Sequence, residues 1–136
     1  LHSLTTAKTF NVAPTGNASR SSFKSSVNIS PTNMYIKPTQ TSFDHLLTII
    51  QNGLYITDVQ GLHSGLNGIS GDFSLSASGF LIKDGKLDDP IHEITIAGNF
   101  FDLLQQIEAI GNDLDFGPSN IGSPSLYIKS LIVAGE

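Results

Sequence analysis

The clearest alternation of apolar and polar positions lies near the middle of the chain. Phe73, Leu75 and Ala77 alternate with Ser74, Ser76 and Ser78, a period of two that gives a strand one dry and one wet face. Gly79 interrupts the alternation, where a bulge or a close backbone approach is expected, and Phe80-Leu81-Ile82-Lys83 continues it. Asp84-Gly85 then supplies two residues that tolerate positive φ, the pair a type I′ hairpin needs. Lys86-Leu87 is predicted to return until Asp89-Pro90 breaks the strand, and Ile91 to Ala97 forms another.

A helical period appears twice. Phe43, Leu46, Leu47 and Ile50 fall at i, i+3, i+4 and i+7, with Thr41 as the predicted cap, Asp44 at the positive end of the dipole and Gly53 as the left-handed stop. Leu54 to Val59, β-branched and aromatic, reads as a strand packed closely on that helix. The second stripe, Phe100, Leu103, Leu104 and Ile107, opens at Asn99 with Asp102 three residues on and is predicted to stop at Gly111. Aligning the two caps puts the stripes one residue out of step, so the helices read as two ordinary capped elements.

Met34 to Lys37 reads as a strand stopped by Pro38. After a loop from Pro118 to Pro124, Ser125 to Val133 is predicted as one closing strand. Residues 1–30 are rich in Ser, Thr, Asn and Gly, with Phe10, Val12, Phe23, Val27 and Ile29 widely spaced. That spacing predicts a meandering arm with one short strand near Val27 to Ile29, poorly ordered if its neighbours are missing. The sum is an α+β class: one domain over 1–136, a mostly antiparallel sheet of about six strands with two helices packed on one face.

Composition narrows the function classes. An apolar content of 39% with 14% charge suits a folded domain and not a disordered one. The net charge of −5, with seven Lys plus Arg scattered along the chain, argues against sequence-independent nucleic-acid binding, which needs a basic face to release counterions. The absence of cysteine excludes disulfides, thiolate metal ligands and a cysteine nucleophile. No apolar run approaches the roughly 20 residues of a membrane helix, and no signal peptide is visible, so no membrane contact and a cytoplasmic location are expected. Leu1 in place of Met leads to the expectation of a piece of a longer protein.

Candidate chemistry is sparse. His92-Glu93 begins like an HExxH zinc motif, but Ile96 stands where the second histidine is needed and the segment reads as a strand. The four histidines, His2, His45, His63 and His92, share no ligand spacing. The glycines at 61, 65, 68 and 71 form neither GxGxxG nor a P-loop, and no GxSxG elbow is present. Asp72, Asp88, Asp89 and Asp113 are each accounted for as turn or cap residues. His63 stands out, since it shares the glycine-punctuated loop from Gly61 to Phe73 with Asn67 and Asp72, and functional groups favour loops held by a scaffold. From residue chemistry alone no catalytic residue and no metal ligand is assigned.

Several strings in order form a recognisable pattern. They are Ser30-Pro31-Thr32-Asn33, Ser70-Gly71-Asp72-Phe73-Ser74, Ala77-Ser78-Gly79, Pro90 ahead of Glu93-Ile94-Thr95-Ile96-Ala97-Gly98-Asn99, Ala109-Ile110-Gly111-Asn112-Asp113, Ile121-Gly122-Ser123-Pro124-Ser125 and Val133-Ala134-Gly135-Glu136. Together they resemble the C-terminal part of the TldD/PmbA family, once called modulators of DNA gyrase, and its PmbA (TldE) branch in particular. The resemblance implies a cytoplasmic protease assembly acting on unfolded peptides, including peptide-antibiotic precursors and antitoxins. In that family the TldD-type subunit carries zinc through an HExxxH helix and a C-terminal cysteine. Neither is present in this chain, so the resemblance implies a non-catalytic subunit with no cofactor of its own, partnered by a TldD-type subunit or by self-association. The loop of His63, Asn67 and Asp72 is then expected to line a chamber or an interface. The alternative reading is a regulatory protein-binding module, a gyrase modulator without proteolytic role.

Overall fold

The structure, a computed structural model, describes residues 1–135. In chain order the elements begin with helix α1 (Leu4–Phe10) and strands β1 (Ala18–Ser19), β2 (Asn28–Ile29) and β3 (Met34–Tyr35). Helix α2 (Phe43–Ile50), strand β4 (Gly53–Gln60) and the one-turn helix α3 (Leu62–Gly65) follow. Then come strands β5 (Asp72–Lys83) and β6 (Lys86–Asn99), helix α4 (Phe100–Gln105) and strand β7 (Ile107–Ile110). Strands β8 (Ile121–Gly122), β9 (Leu126–Ile128) and β10 (Ile132–Ala134) end the series. The class is α+β with mostly antiparallel pairing, as the sequence predicts.

These elements fall into two compact units. The first, Leu1–Ile36 with Asp115–Gly122, contains α1, the antiparallel pair β1–β2 and the parallel pair β3–β8. Helix α1, where the sequence reading placed only meandering chain, is held by a capping box in which Ser3 and Thr6 exchange side chain-to-backbone bonds, satisfying two amides that a helix start leaves unpaired. In the same unit Tyr35 meets Phe116 edge-on at 5.8 Å.

The second unit, Lys37–Leu114 with the chain from Ser123 onward, holds a four-stranded sheet in the order β10-β6-β5-β4 and the separate pair β7–β9. Its core is the dry face of the central strands: Phe73, Leu75 and Ala77 of β5 with Ile94 and Ile96 of β6, covered in part by Leu54, Ile56, Leu103 and Leu131. Helices α2 and α4 both pack against β6, and α2 buries Leu46 and Leu47. The Asp84-Gly85 turn has φ of 50° and 72°, as a type I′ hairpin requires. Gly79 sits at a register slip, and a Cβ there would run into the carbonyl oxygen of Tyr55; the expected bulge and the close approach are both present.

Several local expectations are corrected. The predicted six-stranded sheet is one sheet of four strands plus three two-stranded pairs. Pro90 does not break its strand: β6 runs unbroken through it, opposite Phe80, and a register slip between Phe80 and Ile82 absorbs the extra residue, the kind of irregularity where a missing N–H is tolerated. Helix α4 ends at Gln105, and Ile107, predicted as its last buried residue, instead opens β7 and pairs with Ile128; the pairing gives β-branched residues the extended backbone they favour. The predicted closing strand is two, because the chain leaves β7 after Ile128 and reaches β6 only at Ile132. At α2 the cap is Ser42, one residue after Thr41, and the helix stops at Gln51, with a positive φ of 60°, which frees Gly53 to start β4.

Candidate functional site

The glycine-punctuated loop folds back on the ends of β5 and β6. Gly61, at φ 83°, turns the chain into α3, and Leu66 bridges to Phe73. The Asn67 side-chain oxygen accepts the amides of Ile69 (3.0 Å) and Ser70 (3.2 Å), an Asx turn that shapes the tip. The Asn67 amide donates to the Asp72 carbonyl and the Gly71 amide to the Asn67 carbonyl, both at 2.8 Å. Gly71 has φ 82°, and a Cβ on it would meet the Phe101 ring at 2.8 Å, so the aromatic ring lies directly on the loop backbone.

Asp72 is the hub of the side-chain bonds. Ser70 Oγ donates to its Oδ2 (2.7 Å) and Asn99 Nδ2 to its Oδ1 (2.9 Å), while the same Asn99 amide group also reaches the Ser70 carbonyl (2.9 Å). The Asn99 oxygen accepts the Phe101 amide at 3.0 Å, so one residue caps α4 and ties the loop to it. The bond from Asn99, then that from Ser70, hold the Asp72 carboxyl below its ordinary range, against a smaller opposing effect of desolvation; donors to a carboxylate favour its charged form.

Of the three residues singled out in the sequence, Asn67 and Asp72 are brought into one network, and His63 is not. His63 stays exposed on α3 and takes no part in these bonds. Sequence reading missed Ser70 and Asn99 as network members; the local signal was Asn99 as a helix cap, but nothing in sequence separation announces its bond across 27 positions to Asp72. The network ties the loop tip to the start of α4. The loop presents Ile69, 95% exposed, and α4 leaves Phe100 and Phe101 half-exposed.

A second clasp joins β7 to β9. The Gly111 amide donates to the Ser125 carbonyl (2.8 Å), and Ser125 returns its amide (3.0 Å) and hydroxyl (2.6 Å) to the two oxygens of Asp113. Desolvation pushes the Asp113 carboxyl up, but the Ser125 hydroxyl, the Ser125 amide and its own backbone amide outweigh it and hold the group low.

The donor set does not fit a zinc site. Among the described residues no three of His, Cys, Asp and Glu converge closely enough to hold a metal, and zinc needs at least three protein ligands even where one position is left open. No helix among the described residues is long and apolar enough to cross a membrane.

The family described as the PmbA/TldA metallopeptidase C-terminal domain matches residues 1–135. The metalloprotease PmbA of Escherichia coli O157:H7 is 37% identical over 95 residues, covering 70% of this chain and 20% of its own. A metalloprotease of Methanothermobacter thermautotrophicus is 29% identical over 147 residues, 99% of this chain and 32% of its own. Among solved structures, a Thermotoga maritima protein named as a modulator of a DNA gyrase shares 40% identity with a TM-score of 0.85, over 98% of this chain and 30% of its own. TldE from Thermococcus kodakarensis shares 26% identity with a TM-score of 0.81, over 95% and 29%. The chain therefore spans between about a fifth and a third of the length of these relatives.

Proposed function

The chain belongs to the PmbA/TldA metallopeptidase family as its C-terminal domain, and from that premise we propose that it serves as the non-catalytic C-terminal domain of a PmbA/TldE-type subunit in a cytoplasmic metallopeptidase complex that processes unfolded peptides. One observation carries the reading: a match over nearly the whole chain to a metallopeptidase family, in a sequence without cysteine whose described residues bring no three metal donors together. Zinc and the hydrolytic step then belong to a TldD-type partner. The likeness to TldE supports the same division of labour.

In this role the domain contributes surfaces. Strand β4 forms one edge of the four-stranded sheet, and its half from Thr57 to Gln60 is exposed. An extended peptide adds to such an edge through backbone hydrogen bonds, a sequence-tolerant way to hold substrate. The Asn67–Asp72 loop, braced by Asn99 and tipped by Ile69, acts as a chamber-lining or interface element. A second reading, a regulatory module that contacts gyrase without proteolysis, is favoured by the name of the Thermotoga maritima relative.

A pull-down separates the two. The chain, immobilised, is offered a TldD-type subunit and gyrase in parallel. Retention of the TldD-type subunit is expected; retention of gyrase alone would overturn the proteolytic reading in favour of the regulatory one.

A further inference from the structure

The wet face of the four-stranded sheet carries a recess of about 540 Å³ over Ser76 and Ser78, walled by Asp58 and Gln60 on β4 and by His92 and Glu93 on β6. Its shape comes from two irregularities that meet at one residue. On one side Ile56 pairs with Gly79 and Asp58 with Ser78, so Thr57 is an extra residue in β4. On the other, Gly79 pairs with Ile91 and Ala77 with Ile94, so Ser78 faces two residues, His92 and Glu93. Glu93 takes φ 57°, a left-handed backbone rare for a residue with a long side chain. Bulges re-aim side chains and recur beside binding sites; here a pair of them flanks a floor of small hydroxyls.

The lining is chemically one-sided. Apart from the His92 imidazole, it offers two carboxylates, serine hydroxyls and the Gln60 amide, which donates to Asp58 Oδ2 at 3.2 Å, and no lysine or arginine. A small point-charge cation is a poor match, since no metal-binding group of three donors is formed among the described residues. A guanidinium matches better: it spreads five N–H donors over a planar fork and meets carboxylates and hydroxyls spaced apart. Asp58 also sits on the edge strand, where a cross-strand neighbour on an added chain lies about 5 Å away.

We infer that this recess is a subsite for a basic side chain, arginine above all, of an extended peptide paired to β4. The assignment rests on the peptide-holding reading above and adds a side-chain preference to it.

The test uses the 136-residue chain and fluorescent unfolded peptides, identical except for arginine or its neutral isostere citrulline at one position. Fluorescence anisotropy is expected to show the arginine peptide binding about fivefold more tightly, the upper range for solvent-exposed charge pairs, with the difference shrinking as salt rises. In the double variant Asp58→Asn, Glu93→Gln the preference is lost and the two peptides bind alike. Equal binding of the two peptides by the unaltered chain overturns the subsite and leaves the peptide reading standing, as does a preference that survives the double variant. Binding of neither peptide overturns both.

Discussion

Asp72 and Asn99 show how a single side-chain pair organises the loop that leads into the Ser70–Ser74 string of the family pattern. The carboxylate accepts from Asn99 and Ser70 and titrates low. A group whose folded pKa is depressed adds stability above its unfolded value, and that contribution drains away as pH falls through the folded one. Asn99→Ala is therefore expected to move the Asp72 carboxyl up toward its ordinary 3.8, read by NMR titration of both proteins; an unmoved titration contradicts the assignment. At Gly79 the constraint is steric. Gly79→Ala drives a methyl into the Tyr55 carbonyl and should cost about 1–3 kcal/mol, the range for overpacking, in urea unfolding. This second residue was legible in the sequence, because an interrupted alternation marks a bulge wherever it occurs. The Asn99–Asp72 bond was not, because it exists only once β5 and β6 have paired.

At the scale of elements, strong local signals survived and their endings did not. The Asp84-Gly85 hairpin and the apolar stripe of α2 rest on contacts within a few residues, and both formed as predicted. Helix α4 and the closing strand were misjudged where a distant partner decides: Ile107 fits a helical stripe as well as a strand, and only Ile128 opposite it settles the matter. The Asp113–Ser125 clasp holds those two strands in register. Ser125→Ala removes one of the bonds that keep Asp113 low, so its pKa is expected to rise and amide exchange in Leu126–Ile128 to quicken. Unchanged exchange there would mean the pairing does not depend on the clasp. Ser42→Ala, which removes the side-chain cap of α2, should cost about 1 kcal/mol in thermal unfolding.

For the molecule as a whole, family and fold class were readable from ordered strings and alternation together; the wet-face recess was not, because it arises from two register slips, one in each pairing of β5, that appear only once the strands have paired. Without a converging donor set, added zinc or a chelator is expected to leave the melting temperature of the chain unchanged, whereas a metal-built domain would lose stability on chelation. Ile69→Asp, at a side chain 95% exposed, should leave stability within about 0.5 kcal/mol yet weaken capture of a TldD-type partner in the pull-down. The most direct test of the non-catalytic role is a zinc-supplemented peptidase assay on an unfolded peptide. It compares this chain alone, a full-length PmbA-type parent, a TldD-type subunit, and the parent and subunit mixed. Hydrolysis is expected only where the TldD-type subunit is present and is greatest in the mixture; hydrolysis by this chain alone would contradict the non-catalytic role.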